Sequence, residues 1–157
     1  MTKPSDLYDQ DFVRWTEEQA AALRRAKSSN LPLDWDNLAE EIESLGRSDR
    51  RELRSQITRV LRHLLKLEVS PATDPRAGWH ATIDEARAEI EGVLEDSPSL
   101  RREVDGMIER QISTAAKLAA DDLGKYSEPV EAVQKRLEQG GFTAEEVLGD
   151  WFPNTPG

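Results

Sequence analysis

From Leu53 to Leu67, apolar side chains recur at the spacing of an α-helix: Leu53, Ile57, Val60, Leu61, Leu64 and Leu67. At 100° per residue they gather on one side, while Arg47, Arg51, Arg54, Arg59, Arg62 and Lys66 gather on the other. A stripe of this kind commits the segment to a helix with one buried face. The rest of the chain keeps the same period, and no stretch alternates like a half-buried strand. The expected fold class is therefore all-α, a compact helical bundle with five main helices and one or two short C-terminal helices.

Prolines and glycines mark the joints. Pro32, Pro71, Pro75, Pro98, Pro129, Pro153 and Pro156 fall between periodic segments, where helices start or stop. The spacing predicts a first helix over about 9–27, with Asp9 or Asp11 as cap and Phe12, Trp15, Gln19, Ala22, Leu23 and Ala26 on one face. A second, short helix is expected over about 35–45, capped by Asp34 and carrying Trp35, Leu38, Ala39, Ile42 and Leu45. Gly46 reads as its stop, with Ser48 capping a third helix over about 49–69. A fourth follows from the Pro75–Trp79 region to near Leu94. Ser97-Pro98 reads as N-cap and first position of a fifth, which runs to about Leu123. Pro129 to Gln139 forms a shorter piece closed by Gly140-Gly141. Thr143 and Glu146 stand at capping-box spacing ahead of Val147, Leu148, Trp151 and Phe152.

At 157 residues the chain suits one helical domain, 1–157, with a core over about 8–124 and a C-terminal extension over about 128–153. It has no cysteine, which removes disulfides, thiolate metal ligands and cysteine nucleophiles together. The net charge of −10 opposes a nucleic-acid or anionic-membrane binder, since phosphate affinity is built on cationic surface. No apolar run approaches the ~20 residues a membrane span needs, and no apolar segment follows Lys3 as in a signal peptide. Cytoplasmic localisation is expected.

Charge is segregated along the chain. Asp34, Asp36, Glu40, Glu41 and Glu43 have no cation among them, and the arginine-rich stretch follows. If the short second helix folds back on the third, its carboxylates meet those arginines. Exposed pairs of that kind contribute about 0.2–1 kcal/mol each. The alternative is that Arg51, Arg54 and Arg62 form a basic face for an acidic partner. The net charge also allows a neutraliser of a basic partner, although nothing spaces the carboxylates like phosphates.

His63 lies at the boundary of the apolar stripe. It reads as a histidine bonded to a carboxylate or a backbone carbonyl, or else as a general base or metal ligand acting with His80 and Glu41. The Glu-x-x-His pairs of di-iron bundles and the His-Glu-x-x-His of zinc hydrolases are missing. So are Gly-rich phosphate loops and the Gly-x-Ser-x-Gly elbow. No metal or cofactor is expected. Trp15, Trp35, Trp79 and Trp151 each lie on or beside an apolar stripe, which suggests core packing. Trp79 follows a proline-containing loop and could line a pocket with His80 and Thr82. Trp151 and Phe152 could form a partner-binding patch.

Several blocks in this order resemble a known family: Tyr8-Asp9-x-Asp11-Phe12-x-x-Trp15; Leu33 to Gly46; His63-Leu64-Leu65-Lys66; Trp79-x-x-Thr82-Ile83; and Ser97-Pro98-Ser99-Leu100. Together they are similar to the bacterial domain-of-unknown-function family numbered twenty-nine, common in cyanobacteria and present in proteobacteria. The resemblance implies a helical protein and no established activity. The functional expectation is a non-enzymatic module that binds a protein partner or a second copy of itself. It would use the Arg51/Arg54/Arg62 face, the Trp79 and His80 loop, or Trp151 and Phe152. The alternative is a small-ligand or metal-dependent enzyme working through His63, Glu41 and His80.

Overall fold

The computed structural model describes residues 3–27, 30–128 and 130–156. Among them seven α-helices form: α1 (Pro4–Gln10), α2 (Phe12–Ala26), α3 (Trp35–Val69), α4 (Arg76–Asp96), α5 (Val104–Gly124), α6 (Glu131–Leu137) and α7 (Ala144–Leu148). A short 3-10 helix, Pro98–Glu103, precedes α5. No strand occurs among the described residues, so the all-α expectation holds. The chain divides into two compact units: Met1–Leu53 with Gly92–Arg102, and Arg54–Glu91 with Glu103–Gly157.

In the first unit the expected first helix is two helices, broken at Asp11. That residue is extended (φ −157°, ψ 93°), and its carboxylate accepts the Arg14 N–H at 3.0 Å, the signature of an N-cap. The same buried carboxylate accepts the Ser99 N–H at 2.7 Å and the Ser99 hydroxyl at 2.9 Å. In return the buried Ser97 hydroxyl accepts the Val13 N–H at 3.0 Å. Two helix starts therefore satisfy each other's orphan donors, and Ser97 caps α2 rather than the helix it precedes. The buried face of α2 is Val13, Thr16 and Ala20, one position away from the face expected. Phe12 and Trp15 instead cluster with Tyr8, whose ring lies 5.9 and 4.9 Å from theirs.

The expected second and third helices are one, α3, 35 residues long. Gly46 does not end it. A methyl group there would stand 2.5 Å from the Thr16 hydroxyl, so the glycine is the place where α2 and α3 touch. The helix tolerates it at a cost of about 1 kcal/mol relative to alanine. Ion pairs cross the same point, because Arg47 reaches back to Glu40 at 2.6 Å and to Glu43 at 3.7 Å. The fold-back of acidic helix on basic helix is thereby corrected. Glu40 and Glu43 meet Arg47 of their own helix and Arg24 of α2, and Asp36 meets Lys27.

In the second unit the rest of α3 buries Ile57, Val60, Leu61, Leu64, Leu65 and Leu67 completely. Ile83, Ala86 and Ile90 of α4 and Met107, Ile108, Ala115, Ala119 and Leu123 of α5 are buried with them. The fifth helix starts as a 3-10 turn, not directly as α-helix. Helices α6 and α7 pack on α5. Pro129, expected to open the first of these, lies outside the described residues, and α6 begins at Glu131. The capping box of α7 forms: the Thr143 hydroxyl accepts from Glu146 N–H at 3.1 Å, and the Glu146 carboxylate accepts from Thr143 N–H at 2.9 Å. Gly140, at φ +108°, turns the chain between them in a conformation that suits glycine.

Candidate functional site

A chain that must turn from α3 into α4 has to satisfy the last carbonyls of α3. Arg76 does this from the first position of α4. Its buried guanidinium donates to Leu67 O at 2.9 Å and Ser70 O at 3.1 Å. The Ser70 hydroxyl accepts from Ala72 N–H at 3.2 Å and donates to Glu128. The loop from Pro71 to Pro75 is pinned at both ends, and it forms one wall of an open cavity of about 900 Å³. Trp79, Leu123 and Tyr126 form apolar walls, and Lys66 and Asp122 are also part of the lining. Tyr126 is 80% exposed, so its ring is free to meet an incoming group.

Lys66 and Asp122 of the lining belong to an ion cluster completed by Arg62, which lies outside the lining. Arg62 and Lys66 are four apart on α3 and so share a face. Arg62 grips Asp122 with both ends of its fork, at 2.7 and 2.6 Å, and Lys66 Nζ donates to the same carboxylate at 3.0 Å. Burial opposes the charge on Asp122, but the hydrogen bonds from Arg62 and Lys66 outweigh it and bring its pKa down to about 2. Burial lowers the pKa of the Lys66 ammonium, with Asp122 pulling the other way. The Asp122 hydrogen bond raises that of Arg62. Lys66 Nζ also lies 5.0 Å from the centre of the Trp79 ring, a cation–π contact that orients the indole at the cavity wall.

Trp79 lies on the cavity wall, whereas His80 and Thr82 are absent from the lining. The His80 ring stacks on Phe152 with centres 4.1 Å apart, and the Thr82 hydroxyl donates to Gly78 O at 3.0 Å. His63 Nδ1 lies 2.9 Å from Arg59 O, to which it donates. Its pKa falls to about 4, first through burial and then through the nearby Lys66 and Arg62 charges. The imidazole is neutral at pH 7. Glu41 is exposed. It belongs to the first unit, and His63 and His80 to the second. Among the described residues no three His, Asp or Glu side chains converge as a metal site. Arg51 and Arg54 are exposed, while Arg62 is committed to Asp122.

Phe152 is held rather than offered. It lies between the His80 ring and the Arg87 guanidinium, the latter 4.8 Å from its centre. Arg87 is buried and donates to Val147 O, Glu146 O and Trp151 O at 2.7–2.9 Å, tying the C-terminal segment to α4. Trp151 remains 37% exposed.

A family model described as "Domain of unknown function DUF29" matches residues 7–152. The chain belongs to the DUF29 family. Its fold is similar to that of an α-helical protein of unknown function from Rhodospirillum rubrum, with a TM-score of 0.60 and 25% identity. That match covers 93% of this chain and 91% of the other. No curated protein matches. Among the described residues of this DUF29 chain, no helix is long and apolar enough to cross a membrane.

Four residues of the second unit that build the cavity or anchor the C-terminal segment escaped sequence reasoning: Arg76, Arg87, Asp122 and Tyr126. Two carried a signal. Asp122 is an anion in the last turn of α5, where the helix dipole disfavours one, so a nearby cation is called for. Arg87 stands one turn from Ile83 on the core side of α4, where an arginine needs acceptors. Arg76 and Tyr126 carried none.

Proposed function

We propose that this protein works by binding a partner protein, and that the cavity walled by Trp79 and Tyr126 is where it does so. The observation that carries this reading is the cavity itself: aromatic and proline walls around a fixed Lys66–Asp122 pair. An apolar side chain from a partner segment would leave water between Trp79 and Tyr126, while Lys66 and Asp122 give its backbone or a polar neighbour a partner. Aromatic anchors in a concave site are the usual source of interface affinity. The cluster is already ordered before a partner arrives, which lowers the entropy lost on binding.

The volume also favours a second reading, a small apolar or aromatic ligand, because such sites span about 300–1,000 Å³. One experiment treats both. Wild type, Trp79→Ala and Tyr126→Ala are purified from native cells, and their co-purifying proteins and small molecules are identified by mass spectrometry. The first reading expects one protein to be lost from both variants while the melting temperature of Tyr126→Ala is unchanged. A small molecule lost in the same way supports the second. Unchanged co-purification in both variants overturns the site.

A further inference from the structure

The first unit carries a different surface. On α3 the core-facing side runs through Ala39, Gly46 and Leu53, all buried. Turned from it lie Leu38 and Leu45, seven residues apart and so on one face, 40% and 48% exposed. Glu41 sits between them and is exposed as well. Its carboxylate has no ion pair among the described residues, although Glu40 and Glu43, on the opposite flank, are both paired with arginines. Asp49, one turn beyond Leu45, has its pKa raised by burial first and then by Asp96 and Glu52, so its named charge neighbours repel it. The acids on one flank of α3 are thus neutralised within the protein. Beside the two leucines, Glu41 has no ion pair among the described residues and Asp49 faces the like charges of Asp96 and Glu52.

We infer that the Leu38–Glu41–Leu45 face of α3 docks a basic amphipathic helix of another protein, with apolar side chains over the leucines and Lys or Arg beside Glu41 and Asp49. Charge complementarity selects this occupant. A second copy of the same face would bring acid against acid, in a chain whose net charge is already −10. A basic helix covers the leucines and relieves the repulsion around Asp49 in one step.

The test uses the full chain and two synthetic helical peptides. One has leucines at i, i+3 and i+7 flanked by lysines, and the other has glutamate in place of each lysine. Binding is read by calorimetry and by amide NMR shifts. The lysine peptide should bind with an affinity that falls as salt rises, and should move the signals of Leu38, Glu41 and Leu45. The glutamate peptide should not bind. Leu38→Ser with Leu45→Ser should weaken binding about tenfold or more. Both leucines are exposed, so the fold should survive. Glu41→Lys, which leaves the leucines in place, should weaken binding as well. The inference is overturned if the serine variant binds equally well, if the shifts map elsewhere, or if the glutamate peptide binds as tightly. It is also overturned if the wild type self-associates through this face and the serine variant does not.

Discussion

The two parts of α3, acidic before Arg54 and basic after it, also differ in their surroundings. Up to Leu53, in the first unit, the charges pair in the open. Arg24, Glu40, Glu43 and Arg47 are each between about a third and a half exposed, and the leucines beside Glu41 face water. From Arg54, in the second unit, six apolar residues are sealed, and Arg62 and Lys66 converge on one carboxylate with Lys66 only 7% exposed. An ion pair is worth little where water can replace it and much where removing one partner strands a buried charge. The same residue types therefore serve solubility and register in one part and fix a site in the other.

That contrast breaks first at Asp122. Asp122→Ala leaves Arg62 and Lys66 without their shared anion and should cost about 3 kcal/mol, the scale of a broken buried pair. The urea midpoint measures it, and a loss below about 1 kcal/mol would place the cluster with the surface pairs. Next is Gly46→Ala, where the added methyl meets the Thr16 hydroxyl. Overpacking at such a contact costs about 1–3 kcal/mol, and the paired change with Thr16→Ala should recover part of it. A stabilised Gly46→Ala would show that α2 and α3 can part there.

The pH dependence sharpens the comparison further. His63 binds its proton less tightly folded, at about 4 against 6.5 for the free group. Its contribution to stability is complete above about 6.5 and declines as pH falls towards 4. Asp122, held down at about 2 against 3.8, contributes fully above 3.8 and loses its contribution only as pH falls towards 2. His63→Gln should flatten the upper window and leave the lower one, as read from denaturation midpoints across pH. An unchanged slope between pH 6.5 and 4 would mean that His63 is solvated in both states. The smallest effect belongs to the first unit. Glu40→Ala, at an exposed pair with Arg47, should move stability by no more than about 0.5–1 kcal/mol. A loss of 2 kcal/mol would erase the distinction between the two parts of the helix.

Much of this was legible in the chain. The stripe from Leu53 to Leu67 is buried residue for residue, and Trp79, placed by its sequence beside a proline-containing loop, lies on the cavity wall. Misreadings came from residues whose local and tertiary meanings differ. Gly46 has the form of a helix stop, yet it serves close contact with Thr16. Asp11 has the form of a cap, and it is one, but it also holds Ser99, which no local pattern announces. Arg76 is indistinguishable by spacing from a solvated arginine until the carbonyls it binds are in place.

Periodicity and capping chemistry settled by themselves that this protein is helical, roughly where its helices lie and, from Leu53 to Leu67, which side is buried, because those preferences act within a few residues. Tertiary structure decided whether a glycine ends a helix or lets two helices touch, and which of many carboxylates receives Arg62 and Lys66. Those outcomes depend on groups far apart in sequence, whose energies arise only once water has been removed from between them.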